Sequence, residues 1–203
     1  MATVLSRAMP GTQEIRSELL RKAIHLMVGA TPLLASLSLT VTEGLLVAGL
    51  LTYTFAESLR LQGRELPLIT RLTRLASRGR DRESPVLGPT TLGLGALLCL
   101  MLYPEPAASV GIYALAFGDG LSSVVGKLFG RIRLPFTGGK TLEGSLVAFT
   151  AIFWAAWSAG KNPGVALAVA GFGTFLEALP LGDLDNLVIP LGTALAFSTA
   201  FLL

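Results

Sequence analysis

Seven apolar stretches alternate with polar ones along the chain: Ala23 to Leu39, Glu43 to Leu59, Gly88 to Tyr103, Pro106 to Val125, Leu142 to Gly160, Pro163 to Leu179 and Leu187 to Leu203. Each holds about 16 to 20 residues, near the length at which a helix rising about 1.5 Å per residue crosses a hydrocarbon core of about 30 Å. The pattern predicts an all-α, polytopic membrane protein with about seven transmembrane helices. The polar stretches are unequal. Thr40 to Thr42, Pro104 to Glu105 and Lys161 to Asn162 are minimal turns, whereas 60–87, 126–141 and 180–186 are longer. In the first of these, Leu68, Ile69, Leu72 and Leu75 recur at helical spacing among arginines. That spacing predicts a short amphipathic helix on the membrane surface.

Charge orients the pattern. Of 16 Lys and Arg residues, all but Lys161 fall in the N-terminal segment or in those three longer loops. Short basic loops stay inside, so the N-terminus is expected in the cytoplasm and the C-terminus outside. Residues 1–22 then form a cytoplasmic segment and 23–203 one integral-membrane domain, with inner loops 60–87, 126–141 and 180–186. Charged residues are 14% of the chain, against about 25% in soluble domains. The net charge of +3 needs no nucleic acid as partner, because arginines flanking spans are attracted to anionic lipid headgroups. The single Cys99 excludes an internal disulfide.

Ionisable residues in or beside spans are the main functional signal, since a charge in the bilayer must be paired or face water. Here they are His25, Asp119, Lys127, Lys140, Glu143, Glu177, Asp183 and Asp185, all toward the inner side. In the fourth stretch Gly118, Ser122, Gly126 and Gly130 form one stripe and Asp119, Ser123, Lys127 and Arg131 the next, if the helix is continuous. This suits a metal at one end and phosphates at the other; it also suits a small-residue packing helix. Gly138-Gly-Lys-Thr141 is no Walker loop, because Leu134 stands where that motif needs glycine. It is a basic, glycine-containing loop opening a helix, with Glu143 in its first turn, and can bind phosphate. After Pro180, Asp183, Asp185 and Asn186 crowd hard oxygen ligands suited to Mg²⁺, or serve as helix caps.

Ala116-Phe-Gly-Asp-Gly, Lys127 with Gly130, Gly139-Lys-Thr-Leu-Glu-Gly-Ser145, and Glu177-Ala-Leu-Pro followed by Asp185-Asn-Leu-Val-Ile-Pro190 resemble the CTP-dependent polyprenol kinase group. Arg21-Lys-Ala-Ile-His25 and Arg82-Glu83 fit the same pattern. That group includes dolichol kinases, phytol kinases and CTP-dependent diacylglycerol kinases, with phosphatidate cytidylyltransferases as distant relatives. The short chain is closer in size to phytol kinases, because dolichol kinases usually carry extra N-terminal spans.

The resemblance implies transfer of the γ-phosphate of CTP, or another nucleoside triphosphate, to the hydroxyl of an isoprenoid alcohol or diacylglycerol at the cytoplasmic face. It implies Asp119, Glu177 and Lys140 as catalytic candidates and Asp119, Asp183 and Asp185 as Mg²⁺ candidates. Lys127, Arg131, Gly139, Lys140, Thr141, Glu143 and Asn186 are the nucleotide and phosphate candidates. His25, Arg21 and Lys22 are placed to hold a lipid head or phosphate. Two other classes stay open at this point: a cytidylyltransferase making a CDP-lipid, and a small transporter, for which the polar residues gather too far from the midplane. Membrane lipids are expected partners; the oligomeric state, a homodimer included, is open.

Overall fold

The computed structural model describes residues 12–64, 66–76, 85–160 and 162–201. Arg7, Arg78, Arg80, Arg82, Glu83 and Lys161, used in the charge and motif readings, lie outside them. All regular elements among the described residues are helical: α1 (Thr12–Val28), α2 (Thr31–Leu37), α3 (Leu39–Leu61), α4 (Pro67–Ala76), α5 (Gly88–Leu102), α6 (Ala107–Tyr113), α7 (Gly120–Phe129), α8 (Leu142–Gly160), α9 (Pro163–Ala178) and α10 (Asp185–Phe201).

The first apolar stretch is not one helix. α1 ends at Val28, a turn at Gly29 and Ala30 follows, and α2 has only seven residues. The turn is a close crossing: a Cβ on Gly29 would lie 2.8 Å from the Phe117 ring. Pro32 then opens α2, where a missing N–H does no harm. Ser38 is extended, and its hydroxyl accepts from the Val41 N–H at 3.4 Å. α3 therefore starts at Leu39, and the Thr40 to Thr42 turn expected from the sequence is part of that helix.

Among the described residues three helical stretches, Leu39–Leu61, Ala107–Phe129 and Leu142–Gly160, are long and apolar enough to cross a membrane, where seven spans are expected from the sequence. α5 and α9 are apolar but shorter. α3 leaves Leu45, Leu51 and Phe55 exposed, as a helix facing lipid does. The amphipathic helix forms as α4 and packs on α1 and α3, with Thr70 and Thr73 buried.

Small residues let the other helices approach closely. The core of Ala107, Ala114, Ala156, Ala166 and Ala170 surrounds Ile152, Val169, Ile189 and Phe197. α10 packs against α5, α6 and α9. A Cβ on Gly95 would stand 2.0 Å from the Asn186 carbonyl oxygen, and one on Gly111 would stand 2.4 Å from that of Pro190. Lipid offers little hydrophobic drive for helix association, so this backbone contact and its dispersion energy hold the bundle.

The rod Ala107–Phe129 is interrupted by a π-helical turn over Ala114–Asp119. Such turns insert a residue and re-aim the side chains that follow. The rod ends at Phe129, and Gly130 is extended. The stripe drawn through Asp119, Ser123, Lys127 and Arg131 therefore stops at Lys127.

Candidate active site

At one end of the bundle a cavity of about 640 Å³ opens among α1, the start of α5, α7, the loop into α8, the end of α9 and the start of α10. Its lining mixes charged and polar residues with apolar ones, among them Leu19, Val86, Pro89 and Leu92. Five carboxylates (Glu18, Asp119, Glu177, Asp183, Asp185) and five cations (Arg21, Lys22, Lys127, Arg133, Lys140) line it, so their formal charges cancel.

Three ion pairs organise these groups. Asp119, buried at the end of the π-helical turn, accepts from the Lys22 ammonium at 2.6 Å. His25, one turn along α1, has its Nδ1 3.4 Å from the same carboxylate oxygen. Glu177, buried at the end of α9, accepts from Lys140 at 3.0 Å and from the Ser122 hydroxyl at 3.1 Å; Lys140 also donates to the Glu177 carbonyl. Glu18 binds Lys127 at 2.6 Å and Arg21 at 2.5 Å through one oxygen, Oε2. Burial alone would raise the Glu18 pKa, but the hydrogen bond from Lys127 and the charges of Arg21, Lys127 and Lys22 hold it below the usual carboxylate range.

The loop between α7 and α8 turns back on itself. Leu134 N–H donates to the Lys140 carbonyl at 2.9 Å and Leu142 N–H to that of Ile132 at 2.8 Å, leaving one antiparallel bridge between Arg133 and Thr141. Gly138 and Gly139 have φ of 69° and 101°, a region that side-chain-bearing residues rarely adopt. Those two glycines permit the reversal that carries Lys140 over Glu177. Pro180 ends α9 by holding Leu179 extended, which leaves Glu177 at the helix end beside the cavity.

Most residues singled out in the sequence line this cavity: Arg21, Lys22, His25, Asp119, Lys127, Gly139, Lys140, Thr141, Glu177, Asp183, Asp185 and Asn186. Arg131 and Glu143 do not. Glu143 accepts from the Arg131 and Ile132 N–H groups at 2.9 and 3.3 Å, so it braces the loop. Arg131, beyond the end of α7, has an exposed side chain, and Arg133 takes the place in the wall. Thr141 Oγ1 accepts from the Gly144 N–H at 3.2 Å and caps α8. Asn186 donates to the Gly88 carbonyl at 3.2 Å and to Thr91 Oγ1 at 2.9 Å, joining α10 to α5. Glu18, Ser122 and Arg133 were not singled out. Glu18 had a legible signal, standing three and four residues before Arg21 and Lys22 on one helical face.

Asp119, Asp183 and Asp185 do not form a metal centre of three protein ligands: among the described residues no group of three His, Cys, Asp or Glu is placed to hold an ion. The donor set does fit a hard cation that keeps waters and phosphate oxygens. Asp185 Oδ1 and Glu177 Oε2 are buried in this wall without a hydrogen-bond partner, and Mg²⁺ commonly takes only one or two carboxylates. Ser145 Oγ and Glu18 Oε1 are likewise buried and unpartnered around the same space. His25 Nδ1 is a fifth such atom; buried polar atoms are normally satisfied, so five of them around one cavity mark a ligand site.

Helices suited to a membrane and a cavity lined by paired charges define the class: an all-helical, membrane-compatible protein with a charged, partly apolar cavity. Sequence comparison narrows it. The chain is 32% identical over 192 residues to the phytol kinase of Synechocystis sp., a match covering 88% of this chain and 78% of that one. It is 28% identical over 197 residues to a chloroplastic farnesol kinase of Arabidopsis thaliana, covering 88% and 64%. With CTP-dependent diacylglycerol kinase 1 of Schizosaccharomyces pombe it shares 29% over 118 residues, covering 50% and 54%. The chain belongs to the CTP-dependent polyprenol kinase group. No family model and no solved structure matches it.

Proposed function

We propose that this protein transfers the γ-phosphate of CTP to the hydroxyl of a membrane lipid alcohol, either an isoprenoid alcohol or diacylglycerol. The observation that carries this reading is the cavity itself, where buried carboxylates and paired cations share the lining with apolar residues such as Leu19, Val86, Pro89 and Leu92. A triphosphate needs cations and helix N-termini; a lipid alcohol needs an apolar path to the same point. Phosphoryl transfer asks the protein mainly for positioning and charge stabilisation.

Lys140, Lys127 and Arg21 are the phosphate ligands in this reading, helped by the N-terminal dipole of α8. Glu177 takes the proton of the acceptor hydroxyl, because its Oε2 has no partner whereas Asp119 is held by Lys22 and His25. As the lipid oxygen bonds to the γ-phosphorus, the bond to the β-phosphate oxygen breaks and CDP leaves. Asp185, with Asp119 across the cavity, would hold Mg²⁺. That ion supplies neutralisation of phosphate charge when bound.

Purified protein in detergent, given CTP and phytol, farnesol or diacylglycerol, is expected to yield CDP and a lipid monophosphate. Release of pyrophosphate with a CDP-lipid instead would make it a cytidylyltransferase. Solute uptake in proteoliposomes without nucleotide would make it a transporter.

The basic loops support a multi-pass arrangement with the cavity, and the N-terminus, on the cytoplasmic side and the C-terminus outside. A cysteine introduced as Thr137→Cys, in the loop beside Gly138, is then labelled by an impermeant maleimide only in inverted vesicles. Labelling from outside intact cells would reverse the orientation.

A further inference from the structure

The carboxylates of this cavity are not alike. Glu57, outside the cavity, shows what a purely structural bridge looks like: both its oxygens are engaged, Oε2 by Arg60 at 2.8 Å and Oε1 by Arg60 at 2.8 Å and the Val86 N–H at 2.7 Å. Glu18 is only half engaged. Its Oε2 serves both Arg21 and Lys127, while Oε1 is buried without a hydrogen-bond partner. Lys127, on the other side of the pair, has a side chain that is 53% exposed.

Position makes this pair the outermost of the three. Lys22 with Asp119 and Glu18 with Lys127 both tie α1 to the helical rod. Along α1 the two anchor points are four residues apart, about 6 Å; along the rod they are eight residues apart, about 12 Å. The two elements are thus spanned by long side chains at the Glu18 end. Leu19 and Leu128, the neighbours of that pair, line the cavity and are 47% and 53% exposed. A nucleotide entering there meets cations that a carboxylate already holds.

We propose that Glu18 is a built-in competitor of the nucleotide's phosphates, holding Lys127 and Arg21 in the ligand-free protein and yielding them when the triphosphate binds. Rigid retention of the pair is disfavoured by its geometry: one carboxylate oxygen shared by two cations, the other unpartnered, and an ammonium half in solvent where the pair is weak. The balanced charge of the cavity lets the ligand-free site stand without an uncompensated cluster of cations. Its consequence is reduced affinity for CTP, so Glu18 is a positioning residue that sets nucleotide binding through Lys127 and Arg21. This rests on the kinase reading.

The test is CTP binding to the full-length protein in detergent, measured calorimetrically for wild type, Glu18→Gln, Lys127→Met and the double variant. Glu18→Gln is expected to bind CTP more tightly, by about two- to fivefold, the range an exposed ion pair can contribute. The gain should shrink at high salt. In the Lys127→Met background it should fall to what Arg21 alone returns. A merely structural Glu18 would give the opposite sign, because losing the bridge would loosen α1 and weaken binding. Where Glu18→Gln does not fold, Glu18→Asp, one methylene too short to hold both cations, is read for the same tightening. Binding by wild type with equal or weaker binding by the Glu18 variant overturns this proposal alone; no CTP binding by wild type overturns the kinase reading and this proposal with it.

Discussion

Asp119→Asn is expected to lower turnover severely and to lower thermal stability with it. Asp119 is buried and shares one oxygen with Lys22 at 2.6 Å and His25 at 3.4 Å. Asparagine keeps the volume and removes the charge, leaving the Lys22 ammonium buried without compensation. Breaking one side of such a pair costs about 3–5 kcal/mol. Loss of turnover should reach about a hundredfold to a thousandfold, the scale for one electrostatic group in a transition state. The double variant Lys22→Met with Asp119→Asn separates the effects. It removes both buried charges, so its melting temperature should recover toward wild type while turnover stays lost. Near-normal turnover in Asp119→Asn would reduce the residue to a packing anchor between α1 and the π-helical turn.

Lys140→Met should lower kcat/KM for CTP by about ten- to a hundredfold. A hydrogen bond to a charged partner contributes about 1.5–3 kcal/mol, and about 1.4 kcal/mol is a factor of ten in rate. The structure gives Lys140 two tasks that one substitution removes. Its ammonium stands at the cavity wall within reach of an anion, and it fixes Glu177 by donating to both the carboxylate and the backbone carbonyl. Glu177 then keeps only the Ser122 hydroxyl among these partners. A fall confined to KM for CTP would mean that phosphate binding alone is lost; a fall in kcat as well is expected, because Glu177 also loses its position. Unchanged kcat/KM at saturating lipid would move the phosphate site to Lys127, Arg21 and Lys22.

The structure departs from the expected pattern at a few places, through both local and distant contacts. Composition marks Ala23 to Leu39 as a span because its residues are apolar, yet the Phe117 ring at Gly29 and the Ser38 cap divide it into two helices. The contact of Phe117 with Gly29 is distant in sequence, whereas the cap from Ser38 to Val41 is local. Arg131 would share the Asp119 face only on a continuous helix, and the rod stops at Phe129. Glu143 braces the loop backbone outside the cavity lining, whereas Asn186 lines the cavity while its amide joins α10 to α5. Asp119, Asp183 and Asp185, the Mg²⁺ candidates, all line the cavity, and among the described residues no three His, Cys, Asp or Glu are grouped to hold an ion by themselves.

The sequence by itself determined the helical class, the surface helix α4, the residues around which the cavity forms and, through the order of its motifs, the family. Those features follow from periodicity, from charge beside apolar runs and from glycine or proline at fixed places, all properties of neighbouring residues. Only the tertiary structure decided which charges face each other. Lys22 meets Asp119 across 97 positions and Lys140 meets Glu177 across 37. A buried charge takes whatever partner the packing of its helices brings within a few ångströms, and that choice is set by small-residue contacts such as Gly95 on Asn186 rather than by spacing along the chain.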